Sequence, residues 1–333
     1  MTVMLTGGAG FIGSHMAAYL LQNHIDFIIV DNLSNSNLLN IEALNKHFET
    51  NIVFEFSDIR DKEKMRNIFS RYKIDSIVHF ASLKSVSDSF KNQQLYEENN
   101  VTGSRVLIDL LKEFKINKFI FSSSACVYGV PELLPINETH PLTAINPYGK
   151  NKIDIESLIQ MDSFFHEKCS TKILRYFNPI GAFHNGVIGE IPKGVPTNLM
   201  PYLLGVANKV YPVLNVFGGD YNTHDGTAIR DYIHIMDLIH AHYLALSDIE
   251  KGIKIYNVGT GIGFSVLDII KAFEKISNKK MPYEIKPRRE GDVAVCFADS
   301  SKIKKELGWS ANHSIEKMCI DSFNFSKKIN KSF

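Results

Sequence analysis

The stretch that most constrains this chain is Val3-Met4-Leu5-Thr6-Gly7-Gly8-Ala9-Gly10-Phe11-Ile12-Gly13-Ser14-His15. A short apolar run ends in a glycine cluster and passes directly into helical spacing, Phe11, Ile12, Met16 and Leu20, so it reads as strand, tight turn, helix. Glycines at 7, 10 and 13 leave no Cβ where a backbone would approach a pyrophosphate, and the helix start offers unpaired N–H groups and a positive dipole end. Taken alone, the pattern fits a plain strand-to-helix turn as well. Two further runs narrow it. Phe27-Ile28-Ile29-Val30 ends at Asp31, close to the spacing of about 20 residues at which an acidic side chain meets an adenosine ribose. A carboxylate there repels a 2′-phosphate and favours NAD over NADP. Ile52-Val53-Phe54-Glu55-Phe56 ends at Ser57-Asp58, a second strand-end carboxylate able to accept from an adenine amino group. The three runs in register predict a dinucleotide site.

Up to about residue 175 the unit repeats. Apolar runs at 3–6, 27–30, 52–56, 76–81, 118–122 and 172–176 alternate with amphipathic segments. That alternation predicts an α/β fold, a doubly wound parallel Rossmann sheet with ligands at the carboxyl ends of its strands. At that edge Ser76-Ile77-Val78-His79-Phe80-Ala81 leads into Ser82-Leu83-Lys84, and Lys118-Phe119-Ile120-Phe121 into Ser122-Ser123-Ser124. His79, inside an apolar run, reads as a hydrogen-bonded core histidine before a catalytic one. Lys84, just past a strand end, either reaches a nicotinamide ribose or is a solvated loop lysine. Segments from about Gly103 to Phe114 and from about Lys150 to His166 carry more apolar residues than one sheet-facing stripe needs, among them Val106, Leu107, Leu110, Ile153, Leu158 and Met161. The excess predicts a homodimer packed through these helices.

After Phe177 the texture changes. Pro179, Gly181, Gly186, Gly189, Pro192, Gly194 and Pro196 mark a boundary. The expected division is a NAD-binding domain over 1–175 and a smaller mixed α/β substrate-binding lobe over 176–333, with residues about 228–260 crossing back to the first domain. The lobe should hold helices at about 197–208, 237–248 and 266–277, and strands at about 213–217 and 254–259. His240 and His242, two apart on a helix, cannot share a face, so no metal site is expected there. With 333 residues the chain has length for both lobes, and a net charge of +1 provides no long-range field for nucleic acid or anionic lipid. No apolar run approaches the ~18 residues of a membrane span, and the first strand leaves no room for a signal peptide. Cys126, Cys169, Cys296 and Cys319 lack paired or metal-type spacing. These features together predict a cytoplasmic protein with reduced thiols.

The chemistry-bearing stretch is Asn146-Pro147-Tyr148-Gly149-Lys150-Asn151-Lys152. Tyr148 and Lys152, at i and i+4, share one helical face, so the ammonium can lie beneath the phenol. A phenol of pKa about 10 is only ~0.1% ionised at pH 7, and bringing it to about 7 takes roughly 4 kcal/mol of preferential anion stabilisation. Lys152 and the positive ring of NAD⁺ are charges able to supply it. Ser124 then offers a second hydrogen bond to a substrate oxygen, or the serine run merely caps its strand.

These stretches, together with Ser122-Ser123-Ser124-Ala125-Cys126-Val127-Tyr128-Gly129, Leu174-Arg175-Tyr176-Phe177-Asn178-Pro179, Asp225-Gly226-Thr227-Ala228-Ile229-Arg230-Asp231-Tyr232-Ile233-His234 and Pro287-Arg288-Arg289-Glu290-Gly291-Asp292, span nearly the whole chain. They resemble the UDP-galactose 4-epimerase family of the extended short-chain dehydrogenase/reductases. The motifs of the second half are the specific ones, since those of the first half are shared across the superfamily. The resemblance implies reversible C4 epimerisation of UDP-glucose and UDP-galactose, through a transient 4-keto sugar, with NAD tightly bound. It implies that Tyr148 takes the proton of the sugar 4-hydroxyl, assisted by Ser124 and Lys152, while C4 delivers hydride and later recovers it on its other face. Such inversion requires UDP held firmly and the sugar held loosely.

The resemblance further implies NAD contacts from Gly7, Gly10, Phe11, Ile12 and Gly13, from Asp31, Asn32, Asn35, Asp58 and Ile59, and from Phe80, Lys84, Asn99, Tyr148, Lys152 and Tyr176. It implies diphosphate contacts from Arg230 and Arg289, whose guanidinium groups suit phosphate. Asn178, Asn198, Leu199, Phe217, Tyr232 and Asp292 would meet the nucleotide or sugar, beside Ser124 and Tyr148.

One position departs from the family pattern. Members restricted to UDP-glucose and UDP-galactose carry a tyrosine four residues after the Arg-Glu-Gly-Asp aspartate, and this chain has Cys296 there. The smaller side chain predicts room for a 2-acetamido group, and hence interconversion of UDP-GlcNAc and UDP-GalNAc. Three rival readings stay open. A dehydratase needs an extra acid, commonly Asp-Glu after the strand-five serine or threonine, where this chain has Ala125-Cys126. A UDP-uronate 4-epimerase calls for a dedicated extra arginine, which is not apparent. A NAD-loaded sensor without turnover would have no use for Tyr148, Lys152 and Ser124 together.

Overall fold

The computed structural model describes residues 1–184 and 186–329. Its frame is a parallel sheet, seven-stranded among the described residues, formed by Thr2–Thr6 (β1), Asp26–Asp31 (β2), Val53–Phe56 (β3), Ser76–His79 (β4), Lys118–Ser124 (β5), Ser170–Tyr176 (β6) and, from far along the chain, Gly252–Val258. The second half adds Asn178–Ile180 (β7), Leu214–Phe217 (β8) and Ile229–His234 (β9) before that last central strand (β10). Gly263–Ser265 (β11), Tyr283–Lys286 (β12) and Val295–Cys296 (β13) follow it.

Across the central sheet the order is β10-β6-β5-β4-β1-β2-β3, so the connections reverse direction between β1 and β4. In an open parallel sheet that switch point opens a crevice at the carboxyl ends of the strands. Thr6, Asp31, His79, Ser124 and Tyr176 are the strand-end residues along it. Val3, Leu5, Ile29 and Val78 bury one sheet face against the helices Phe11–Gln22 and Ile235–Ser247, while Met4, Ile28, Ile77 and Phe119 bury the other against Lys62–Arg71 and Gly103–Glu113. Continuous apolar strands covered on both faces are what a parallel sheet requires.

In the second half β9 pairs with β7, β11 and β13, and β8 pairs with β12. A separate core, with Leu203, Ile269, Phe273 and Met318 at its centre, holds these strands to the helices Leu199–Ala207, Val266–Ser277 and Ile315–Ile329. The helix Val266–Ser277 starts where its chemistry says it should: the Ser265 hydroxyl accepts from Asp268 N at 3.0 Å, and Asp268 accepts from Ser265 N at 3.0 Å.

One expectation changes in detail. The helix expected over 150–166 is two helices, Pro147–Gln160 and Ser163–Glu167, because Asp162 takes up Phe164 N at 3.0 Å and starts a new turn. Of the apolar residues on these helices, Leu107, Leu110, Leu111, Ile155 and Ile159 are buried in the chain's own core. Val106, Ile153 and Leu158 stay half-buried, and Met161 is exposed. Among the described residues no helix is long and apolar enough to cross a membrane.

Candidate functional site

The glycine turn divides its work among its residues. Gly7 adopts φ +69°, and a Cβ there would lie 2.6 Å from the backbone nitrogen of Ala81. A Cβ on Gly13 would run into the carbonyl oxygen of Gly7. Both glycines therefore serve the close packing of strand, turn and helix. Gly10 is different: a Cβ there would meet only Gly7 O, at 3.3 Å, and Gly10 starts the helix Phe11–Gln22 with no side chain capping it. Its first N–H groups, with the positive end of the helix dipole, form a cradle of unpaired donors that suits a pyrophosphate.

Asp31, at the end of β2, is fixed by three donors: Ala9 N at 3.0 Å, Leu33 N at 2.8 Å and the Ser36 hydroxyl at 2.8 Å. Asn32 donates to Asp58 at 2.8 Å. The Arg60 side chain brackets Asp58 from the other side and holds its carboxyl down to about 2, so it stays an acceptor throughout the neutral range. Asn35 is exposed in the same loop, and Ile59 is buried against Gly103. These groups line the β1–β2–β3 side of the crevice. The pinned acid beside an uncapped helix start fits the adenosine and pyrophosphate of NAD.

On the other side of the switch point, His79 bonds Thr6 Oγ1 at 2.7 Å and Ser104 Oγ at 2.8 Å, and burial pushes its pKa down to about 3. It is a neutral core histidine with both nitrogens engaged. Lys84 is not simply solvated: its amine donates to Glu190 at 2.8 Å. Asn99 is buried in a widened helical turn over Glu97–Thr102. The next residue, Asn100, donates to Leu83 O at 3.0 Å and accepts from Leu83 N at 2.8 Å, fixing the loop that carries Lys84. Phe80 and Tyr176 flank the His242 ring at centroid distances of 5.1 and 5.8 Å, and burial raises Tyr176 to about 12.

Tyr148 is buried on the helix Pro147–Gln160. Asn146 accepts from Gly149 N at 2.8 Å, and Pro147 supplies the first-turn φ, so the helix begins one residue before Tyr148. Lys152 donates to Ser122 O at 2.9 Å, and its amine lies 5.7 Å from the centre of the Tyr148 ring and 5.0 Å from that of Phe121. Burial drives both groups toward their neutral forms. Tyr148 is raised well above the usual phenol range, with the Ser124 hydroxyl opposing, and Lys152 is lowered to about 7, with Glu156 opposing. A state with Tyr148 ionised and Lys152 charged holds as many protons as the neutral pair, so it is reached by moving one proton between them.

Beneath this pair lies a buried network absent from the sequence reading. Arg175 on β6 pairs with Glu156 through two nitrogens and donates to Tyr128 Oη at 3.1 Å. The Ser123 hydroxyl donates to the same carboxylate, and Tyr128 donates to Asn257 at 2.6 Å. Ser124 follows Ser123 directly, and its hydroxyl accepts from Cys126 N at 3.2 Å.

Facing it, the second half gathers charge. Asp292 accepts from Arg289 Nε at 3.1 Å and lies 3.7 Å from Arg230 Nη2. Arg289 also donates to Thr197 O at 3.1 Å and lies over the Phe217 ring at 4.7 Å. Asn178 pairs in register with Tyr232, and Cys296 with Arg230, so β7, β9 and β13 bring four expected residues side by side. Burial raises Tyr232 to about 12. Asn198, just ahead of Leu199 at the helix start, approaches Glu190 at 3.4 Å. Cys296 is buried with Val127, Tyr128, Ile136 and Phe177. Among the described residues the one cluster with metal-type spacing is His224, Asp225 and Asp268. Its carboxylates are already engaged by Thr227 and Ser265.

The chain matches the family model described as GDP-mannose 4,6 dehydratase over residues 4–322. The UDP-glucose 4-epimerase of Bacillus subtilis (strain 168) is 45% identical over 330 residues, covering 98% of this chain and 96% of that protein. The crystal structure of UDP-glucose 4-epimerase from Bifidobacterium longum in complex with NAD⁺ and UDP superposes with a TM-score of 0.97 at 43% identity, over 100% of both chains. The UDP-Glc/GlcNAc 4-epimerase of Campylobacter jejuni gives a TM-score of 0.83 at 37% identity, over 98% of this chain and 99% of that one.

Proposed function

Because the chain belongs to the UDP-glucose 4-epimerase family, within the extended short-chain dehydrogenase/reductases that the 4,6-dehydratase family model also covers, we propose a role for each residue gathered at the crevice. The activity is NAD-dependent interconversion of UDP-hexoses at C4, an isomerisation without net redox change. Bound NAD⁺ would supply the hydride acceptor.

The glycine turn would hold the pyrophosphate through the free N–H groups after Gly10, with Asp31 on the ribose and Asp58, presented by Asn32, toward the adenine. Tyr148, as phenolate, would accept the 4-hydroxyl proton, and Ser124 would donate to the same oxygen. Lys152 would stabilise the phenolate, and Glu156 would favour the charged lysine. Arg230 and Arg289 would turn from Asp292 to the diphosphate. What supports the reading is that Lys152, Arg230 and Asp292 all act electrostatically on Cys126, two residues after Ser124, with Tyr148 one helical turn before Lys152.

The test is conversion of UDP-galactose to UDP-glucose by purified protein. Tyr148→Phe should lower kcat by about 10²–10⁴ while UDP still binds. No turnover by the wild type, or equal turnover by the variant, would overturn the reading.

Cys296 supports turnover of UDP-GlcNAc and UDP-GalNAc as well, since its small side chain stands on β13 beside Arg230. The dehydratase alternative lacks its acid, because Ala125-Cys126 follows Ser124. A division at about residue 175 rests on the change of core beyond β6, and β10, paired with β6, supports a crossing back. A homodimer through Gly103–Glu113 and Pro147–Gln160 rests on half-buried Val106, Ile153 and Leu158, and size-exclusion chromatography tests it. Four unpaired thiols support a cytoplasmic setting.

A further inference from the structure

Residues 188–193 come from the second half of the chain but lie across the first. Asn40, buried in the helix Leu39–Phe48, donates to Gly189 O at 2.9 Å and to Ser14 Oγ at 3.1 Å, close to the glycine turn. Lys193 donates to Leu33 O at 3.1 Å and Ser34 O at 3.2 Å, in the loop that Asp31 organises. Between these anchors sits Glu190, its side chain only 14% exposed. One of its carboxylate oxygens accepts from Lys84 at 2.8 Å and from Asn198 at 3.4 Å. Lys84 stands at the dinucleotide edge of the sheet. Asn198 follows Thr197, whose carbonyl holds Arg289. A single carboxylate therefore touches a residue from each ligand's side.

We propose that Glu190 is a positioning residue that couples the two ligand sites, resting on the epimerase reading for which ligand occupies which side. A nucleotide sugar that orders Asn198 fixes Glu190, and Glu190 in turn fixes Lys84 and the strap that Asn40 and Lys193 pin over the dinucleotide groove. Coupling of two binding equilibria is reciprocal: UDP tightens NAD by the factor by which NAD tightens UDP. The consequence suits a reaction in which hydride leaves and returns in one turnover, because the cofactor stays while nucleotide sugars exchange.

The experiment follows NAD leaving the purified holoenzyme, trapped by an excess of a NAD-consuming dehydrogenase, with and without saturating UDP. In the wild type UDP should slow release about fivefold or more, the lower end of typical coupling. Glu190→Ala should bring the ratio of the two rates close to one and raise KM for UDP-galactose several-fold. Glu190→Gln, which keeps an acceptor oxygen without the charge, should fall between, and it decides the matter if the alanine variant does not fold. A purely structural role would change both release rates equally and leave their ratio as in the wild type. That result, or a wild-type ratio of one, overturns the coupling. A wild type that does not interconvert UDP-galactose and UDP-glucose would instead overturn the functional reading.

Discussion

Replacing Lys152 by Met tests the proposal that Lys152 makes Tyr148 a base. The lysine is 3% exposed, with its amine 5.0 Å from the centre of the Phe121 ring, so an unbranched apolar side chain can occupy the buried site without the charge. With the amine 5.7 Å from the phenol ring centre, a unit charge at an effective dielectric of 20 contributes about 3 kcal/mol to the phenolate. That is about two pKa units, or roughly a hundredfold in the ionised fraction at neutral pH. Lys152→Met should therefore lower kcat at pH 7 about a hundredfold. The sign of the pH dependence follows: with Tyr148 raised further, the phenolate fraction grows tenfold per pH unit up to its pKa, so kcat of the variant should climb between pH 7 and 9 and regain much of the loss. The assay is initial-rate epimerisation of UDP-galactose across that range, with KM measured beside it and expected within about threefold of wild type. A loss below tenfold, or a loss that does not recover as pH rises, would refute the electrostatic account and leave Lys152 a purely positioning group.

Other substitutions probe the remaining parts of the site. Cys296→Tyr places a large ring beside Arg230 and against Phe177, so UDP-GlcNAc turnover should fall at least tenfold more than UDP-glucose turnover, as chromatography of the two product pairs would show. If Arg289 binds the diphosphate as proposed, Arg289→Ala would remove a charge-assisted contact of about 1.5–3 kcal/mol, so KM for UDP-galactose should rise roughly 10- to 150-fold with kcat within about threefold. Glu156→Gln leaves the Arg175 guanidinium buried without its counter-charge, which costs about 3–5 kcal/mol and should lower Tm by roughly 5 °C in a calorimetric scan.

What the sequence makes legible is local. The glycine turn, the strand-end acids and the Tyr148/Lys152 spacing each lie within about one turn or one strand, where periodicity and capping chemistry act directly. The alternation of strands and helices then limits the sheet order, because parallel crossovers have a fixed hand. The break at Met161 has a single sequence sign, Asp162, and no glycine or proline marks it. The widened turn at Glu97–Thr102 has none, although it sets Asn99 and Asn100. Glu156 looks like an ordinary helical surface acid until β6 brings Arg175 beneath it, and only that non-local pairing buries it. Glu190 sits in a glycine- and proline-rich segment with no periodicity, so its two partners are visible only once the chain has folded back over the first sheet.

On the proposed reading, the distribution of charge across the crevice would let one pocket hold a nucleotide and let its sugar turn. Arg230, Arg289 and Asp292 stand on second-half elements, whereas Tyr148, Lys152 and Ser124 belong to a helix and strand locked into the central core. Charge-assisted contacts at the arginines contribute about 1.5–3 kcal/mol each, against about 0.5–1.5 kcal/mol for a neutral hydrogen bond. Directly after Ser124 come Ala125 and Cys126, whose side chains carry no charge of their own to grip a hexose. A 4-keto sugar tethered through its diphosphate would meet strong restraint at one end and weak restraint at the other. Presenting its opposite face to a fixed hydride donor therefore requires breaking only weak contacts. Adding a charged side chain at position 126 should accordingly slow turnover more than it alters UDP affinity.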